Sequence, residues 1–115
     1  MNRFSGLVRG GVFQGDGFSL PLPKQAEHLE DGRLVIMGIW PEHVGLSADG
    51  IEARLERVEP LYQEQAQILY TTFGNVRCVA KVQIPRRIGI TYSVALHFDP
   101  DSLLFFDPNT GERIG

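Results

Sequence analysis

The stretch "GIWPEHV", Gly38 to Val44, sets an acid beside a histidine directly after a Trp-Pro pair. Glu42 and His43 are residue types that exchange protons near neutral pH. Adjacent positions on a helical turn point in different directions, however, so this spacing argues against a shared acid–base pair. His28, His43 and His97 are scattered. No HExxH, no cysteine pair and no close His-carboxylate spacing marks a metal site. His97 falls on the polar side of a strand-like run, which predicts a solvated side chain. Cys78 falls on an apolar side, which predicts a core thiol with nothing nearby to favour the thiolate. The "RGG" at Arg9–Gly11 and the "GDG" at Gly15–Gly17 lack the glycine spacing and lysine of a phosphate loop, and turns account for them. Phe105-Phe106 could stack bases on a nucleic-acid-binding barrel. They have no basic neighbours, and a core strand end explains them better. The residues therefore assign no catalytic, cofactor-binding or metal role.

The elements that carry these residues read as short strands. The sequence holds 13 glycines and 7 prolines spread throughout, punctuation that suits many strands better than a few long helices. Tyr92 to Phe98 alternates Tyr92, Val94, Leu96 and Phe98 against Ser93, Ala95 and His97. Arg77 to Ile84 sets Cys78, Ala80, Val82 and Ile84 on one side, and Pro85 ends it. Phe18, Leu20 and Leu22 suggest an edge strand. Ile51, Ala53 and Leu55 suggest another, with a slip at Arg57-Val58 that predicts a bulge. Arg33 to Trp40 is mostly apolar, as in a strand covered on both sides. Gly74-Asn75 reads as a hairpin turn, and Gln14–Gly17 and Asp107–Gly111 as further turns. Pro41 suits the first position of a helical turn, with Glu42 at its positive end. Glu59 to Tyr70 has helical propensity, but the alternation of Ala66, Ile68 and Tyr70 favours a strand from Glu64 onward. About eight strands with one or two helical turns make an all-β domain, a small barrel or sandwich, over residues 1–115.

Totals narrow the function classes. A chain of 115 residues with 43% hydrophobic content fits one compact domain. The net charge of −3 and pI near 5.5 argue against nucleic acid as a partner. The longest basic run is Arg86-Arg87. One cysteine excludes an internal disulfide and fits a reducing compartment. No signal-peptide pattern and no run of about 18 apolar residues occurs, so a cytoplasmic location is expected.

Four segments, in order along nearly the whole chain, resemble one family. "MGIWPEHV" (Met37–Val44) resembles "LGIRPEHL", and "VEPLYQE" (Val58–Glu64) resembles "VEPLGSE". "FDPNTGERI" (Phe106–Ile114) resembles "FDPETGRRL", and the opening Met1-Asn2 with Phe4, Gly6 and Val8 resembles "MNFLPGRV". These mark the C-terminal transport-associated domain of ATP-binding subunits of ABC importers for sugars and glycerol phosphate. The resemblance implies an all-β, OB-type barrel with a smaller β lobe. It also implies a regulatory and dimerising role without ATP hydrolysis. The implied partners are a nucleotide-binding domain of the same polypeptide, a twin subunit and, indirectly, membrane permease subunits at the inner membrane. ATP and magnesium would belong to that nucleotide-binding domain, whose GxxxxGK[ST] loop and "LSGGQ" signature do not occur here. Truncation to this domain is therefore the expectation. Trp40 stands where the motif has arginine, Tyr62 where the family has glycine, and Leu104 where it often has histidine.

Trp40, Glu42, His43, Asp107 and Arg113, at element ends within these motifs, are the candidate regulatory or interface residues. Capping and turn hydrogen bonds are the competing explanation for the polar four. Two other functions remain open: a module binding oxyanions or small solutes through glycine-rich turns, and a single-strand nucleic-acid binder.

Overall fold

A computed structural model describes residues 1–83 and 92–115. The expected Ile84, Pro85 and Arg86-Arg87 features lie outside these residues. Two antiparallel sheets make up the fold. The first contains β1 (Asn2–Arg9), β2 (Val12–Gly15), β3 (Phe18–Pro21), β4 (Leu34–Ile39) and β9 (Leu104–Phe106), in the order β3-β2-β1-β4-β9. The second contains β5 (Val44–Leu61), β6 (Ala66–Phe73), β7 (Val76–Gln83) and β8 (Ser93–Phe98), in the order β7-β6-β5-β8.

Alternation along the strands builds one barrel-like core. Phe4, Val8, Val35, Met37 and Ile39 enter it from β1 and β4, and Leu69, Cys78, Ala80, Leu96 and Phe98 enter it from the second sheet. Phe4 ties the sheets together: its ring lies 5.4 Å from Phe18, 6.1 Å from Phe73 and 5.7 Å from Phe98. Edge-on and offset ring pairs of this kind add about 0.5–1.5 kcal/mol each beyond simple burial.

The all-β expectation holds. Among the described residues the only helical pieces are four three-residue turns, Lys24–Ala26, Pro41–His43, Tyr62–Glu64 and Pro100–Ser102, two more than the upper expectation. β3 is an edge strand as expected, and Gly74-Asn75 joins β6 to β7 with Phe73 opposite Val76. The strand expected around Ile51–Leu55 is part of an 18-residue strand. At about 3.3 Å per residue a straight strand of that length would reach about 59 Å. The whole molecule is 42 Å long, so β5 must bend. Two irregularities bend it. Leu46 and Ile51 both pair with Leu96, which loops out the four residues between them, and the register slips again between Leu55 and Arg57. The second slip falls at Glu56, just before the expected Arg57-Val58. The ambiguous Glu59–Tyr70 segment divides: β5 continues to Leu61, one turn follows, and β6 starts at Ala66 rather than Glu64. Gln65, with φ +51°, makes the reversal that delays it.

Two devices close the sheets on each other. The Trp40-Pro41 corner carries the chain from β4 into β5. Across the other side, the Asn2 side-chain amide donates to the Val79 carbonyl (2.8 Å) and accepts from the Val79 N–H (2.9 Å). An amide side chain thus replaces one backbone pair between β1 and β7, whose edge would otherwise hold unmet polar groups.

Candidate functional site

The five candidate residues fall into two groups at opposite ends of β4. Trp40 has extended backbone (φ −73°, ψ 146°), as the following proline requires, and Pro41 opens a 3-10 turn through His43. The His43 N–H closes the turn on the Trp40 carbonyl at 3.0 Å. Trp40 is 49% exposed, and Glu42 and His43 are exposed.

Glu42 and His43 diverge, as their spacing predicts. Glu42 lines a groove of about 380 Å³ with Val44, Leu46, Lys81 and Val82. Lys81 there is bound at 2.8 Å by Glu64, whose hydrogen bond, with added attraction from Glu64 and Glu42, holds the ammonium above its usual range. His43 lies beside Asp99, just past β8, and its carbonyl accepts from the Asp99 N–H at 3.2 Å. Asp99 caps the turn Pro100–Ser102, taking the Ser102 hydroxyl at 2.7 Å and the Asp101 N–H at 3.2 Å. Ser102 is the main reason its carboxyl lies below the usual range; the Asp101 amide and the nearby His43 and His97 add to it. The His43–Asp99–His97 grouping was not legible from residue spacing. It arises because Val44 pairs with Phe98 and Gly45 with His97. His97 itself is exposed, as its place on the polar side predicts. Among the described residues no group of three or more histidine, cysteine or acidic side chains is disposed to hold a metal ion.

Asp107 and Arg113 form the second group. Ile36 pairs with Phe106, so Asp107 lies level with Val35, five residues from Trp40 along β4. At about 3.3 Å per residue that separation is about 17 Å, too far for one site. Asp107 is a turn organiser. Its carboxylate accepts the Asn109 and Thr110 N–H groups at 2.8 and 3.0 Å and pairs with Arg33 at 3.3 Å. The two amides, more than Arg33, keep this carboxyl below its usual range. Arg113 bridges to Phe106 through the backbone, and its Nε donates to the Gly115 carbonyl at 3.3 Å. The turn brings the tail back along β9, where Phe105 and Gly115 exchange backbone hydrogen bonds.

Several other residues take the places the sequence predicts. Cys78 is buried, and burial pushes its thiol up to about 12, which suits packing and not attack. Phe105 is fully buried, so it offers no stacking platform. In the "RGG" turn, the Gly10 N–H is already held by Asp31 at 3.0 Å.

Comparison with known proteins bears on what such an arrangement serves. No family profile matches the sequence. Part of the chain's likeness is nonetheless clear. It is similar to import ATP-binding proteins. Over 115 residues it is 34% identical to the sn-glycerol-3-phosphate import ATP-binding protein UgpC of Bordetella pertussis, covering 91% of this chain and 30% of that protein. The Salmonella typhimurium protein of the same description is 27% identical over 122 residues, covering 99% of this chain and 33% of the relative. The xylose/arabinose import ATP-binding protein XacK of Haloferax volcanii is 30% identical over 122 residues, covering 99% and 32%. The chain spans about a third of the length of the curated relatives it matches. No helix among the described residues is long and apolar enough to cross a membrane.

Proposed function

We propose that this chain is the accessory, OB-type β domain of an ABC importer ATP-binding subunit of the sugar or glycerol-phosphate class. It would steady or regulate the subunit dimer while a separate nucleotide-binding domain, with its magnesium and ATP, hydrolyses the nucleotide. The reading rests on one observation: nearly the whole chain matches only a third of import ATP-binding proteins from both bacteria and an archaeon. The chain's own residues do not suit a nucleotide. Its sequence has no GxxxxGK[ST] loop, and the Gly10 amide is committed to Asp31. The exposed Trp40–His43 corner and the Asp107 turn would then be surfaces turned to the twin subunit or the neighbouring domain, on the cytoplasmic face of the membrane. The permease subunits would be reached indirectly.

The test is a chimera in which this chain replaces the matching segment of a glycerol-3-phosphate import ATP-binding protein. Dimerisation and ATP hydrolysis close to the parent, against a defect in the protein lacking the segment, is the expected result. A chimera no better than the deletion overturns the proposal.

A further inference from the structure

The seam between β1 and β7 opens, beyond the Asn2–Val79 clamp, into a groove of about 380 Å³. Arg3 stands on its β1 wall and Arg77 on its β7 wall, both exposed. Several cations of the sheets are already neutralised by a carboxylate. Arg33, Arg54, Arg57 and Lys81 each sit within 4.0 Å of a carboxylate. Among the described residues the side chains of Arg3 and Arg77, like that of Arg9, have neither an ion pair nor a hydrogen bond. Asp16 lines the same groove, and its carboxylate lies within 4.0 Å of neither guanidinium. Ser5 and Asn75 add a hydroxyl and an amide to the lining, and the half-buried Phe18 presents part of a ring there, with Phe4 buried behind it.

We propose that this groove binds a small phosphomonoester with an apolar body. Two guanidinium forks offer paired N–H donors suited to phosphate oxygens. With the Ser5 hydroxyl and the Asn75 amide they supply more donors than a carboxylate can accept well. The partly exposed Phe18 ring takes the ester's apolar part, the usual division of labour in a small-molecule site. Asp16 opposes the anion and sets a ceiling on affinity. The inference rests on the seam alone and stands apart from the importer reading.

The experiment is a nuclear magnetic resonance titration of the 15N-labelled 115-residue chain with phenyl phosphate, inorganic phosphate and benzoate. Phenyl phosphate is expected to shift the amides of Arg3–Ser5 and Asn75–Arg77 saturably, with a Kd at least fivefold below that of either comparator. The double variant Arg3→Gln, Arg77→Gln should weaken it at least tenfold, and Asp16→Asn should tighten it two- to fivefold. Both variants alter only exposed side chains, and unchanged unfolding midpoints would show that the fold is kept. Shifts centred elsewhere, no saturation, equal binding of inorganic phosphate, or indifference to the arginine replacements would each overturn the proposal.

Discussion

Replacing Asn2 by alanine tests how the two sheets are held together. The side chain makes two short hydrogen bonds, 2.8 and 2.9 Å, to both polar groups of Val79, at a residue only 8% exposed. Each such bond contributes about 0.5–1.5 kcal/mol net, and leaving a buried N–H or C=O unmet costs about 1–3 kcal/mol. Asn2→Ala should therefore destabilise the chain by about 2–4 kcal/mol. With a urea dependence of about 1.5 kcal/mol per molar, the midpoint should fall by about 1–3 M. Asn2→Asp should be no better, because its carboxylate can accept from the Val79 N–H but cannot donate to the carbonyl. Urea unfolding followed by circular dichroism gives the stability, and hydrogen exchange at the Val79 amide gives the location. A loss below about 0.5 kcal/mol, or unchanged protection at Val79, would refute the idea that this side chain closes the seam.

Other consequences follow from the same geometry. Phe13→Ala, at a fully buried ring, should cost about 3–5 kcal/mol by urea unfolding, whereas Glu42→Ala should change stability by less than about 0.5 kcal/mol. Gly50→Ala should cost about 1–3 kcal/mol, because a methyl there would overlap the Leu96 carbonyl where β5 loops out. The Cys78 thiol is raised from 9.0 to about 12, so the unfolded chain loses its proton first as pH rises. The stability this carries is complete below pH 9 and declines above it by about 1.4 kcal/mol per pH unit. The difference between the parent and Cys78→Ala in unfolding free energy should accordingly slope above pH 9 and be flat below it. Asp107 behaves in the opposite sense. Its folded carboxyl lies below the ordinary 3.8, so its contribution is present above that pH and lost as pH falls through the folded value; Asp107→Asn should flatten that acid limb.

Period-two alternation was the strongest signal in the sequence because each strand has one side in a shared core. Cys78 and Ala80, and Leu96 and Phe98, are buried as their spacing requires, and Arg77 and His97 are exposed. Tyr92, however, which the same spacing groups with Leu96 and Phe98, is 83% exposed and lies before β8 begins at Ser93. Turn chemistry was equally local: Gly17 and Gly74, at φ +80° and +58°, occupy hairpin positions that side chains resist. What stayed hidden depends on pairing across the chain. The length of β5 could not be read, because its phase breaks twice where residues loop out against β8 and slip against β6. Asn2 looked like an ordinary polar residue until Val79, 77 positions away, came beside it. The grouping of His43, Asp99 and His97, and the pairing of Arg33 with Asp107, likewise exist only once β5 meets β8 and β9 meets β4. The candidate residues lie at element ends, in two separate corners joined by one strand.

Calorimetric titration of this chain with magnesium-ATP addresses the proposed division of labour most directly. An accessory β domain should release no saturable heat up to millimolar nucleotide. A stoichiometric transition with micromolar Kd would contradict it.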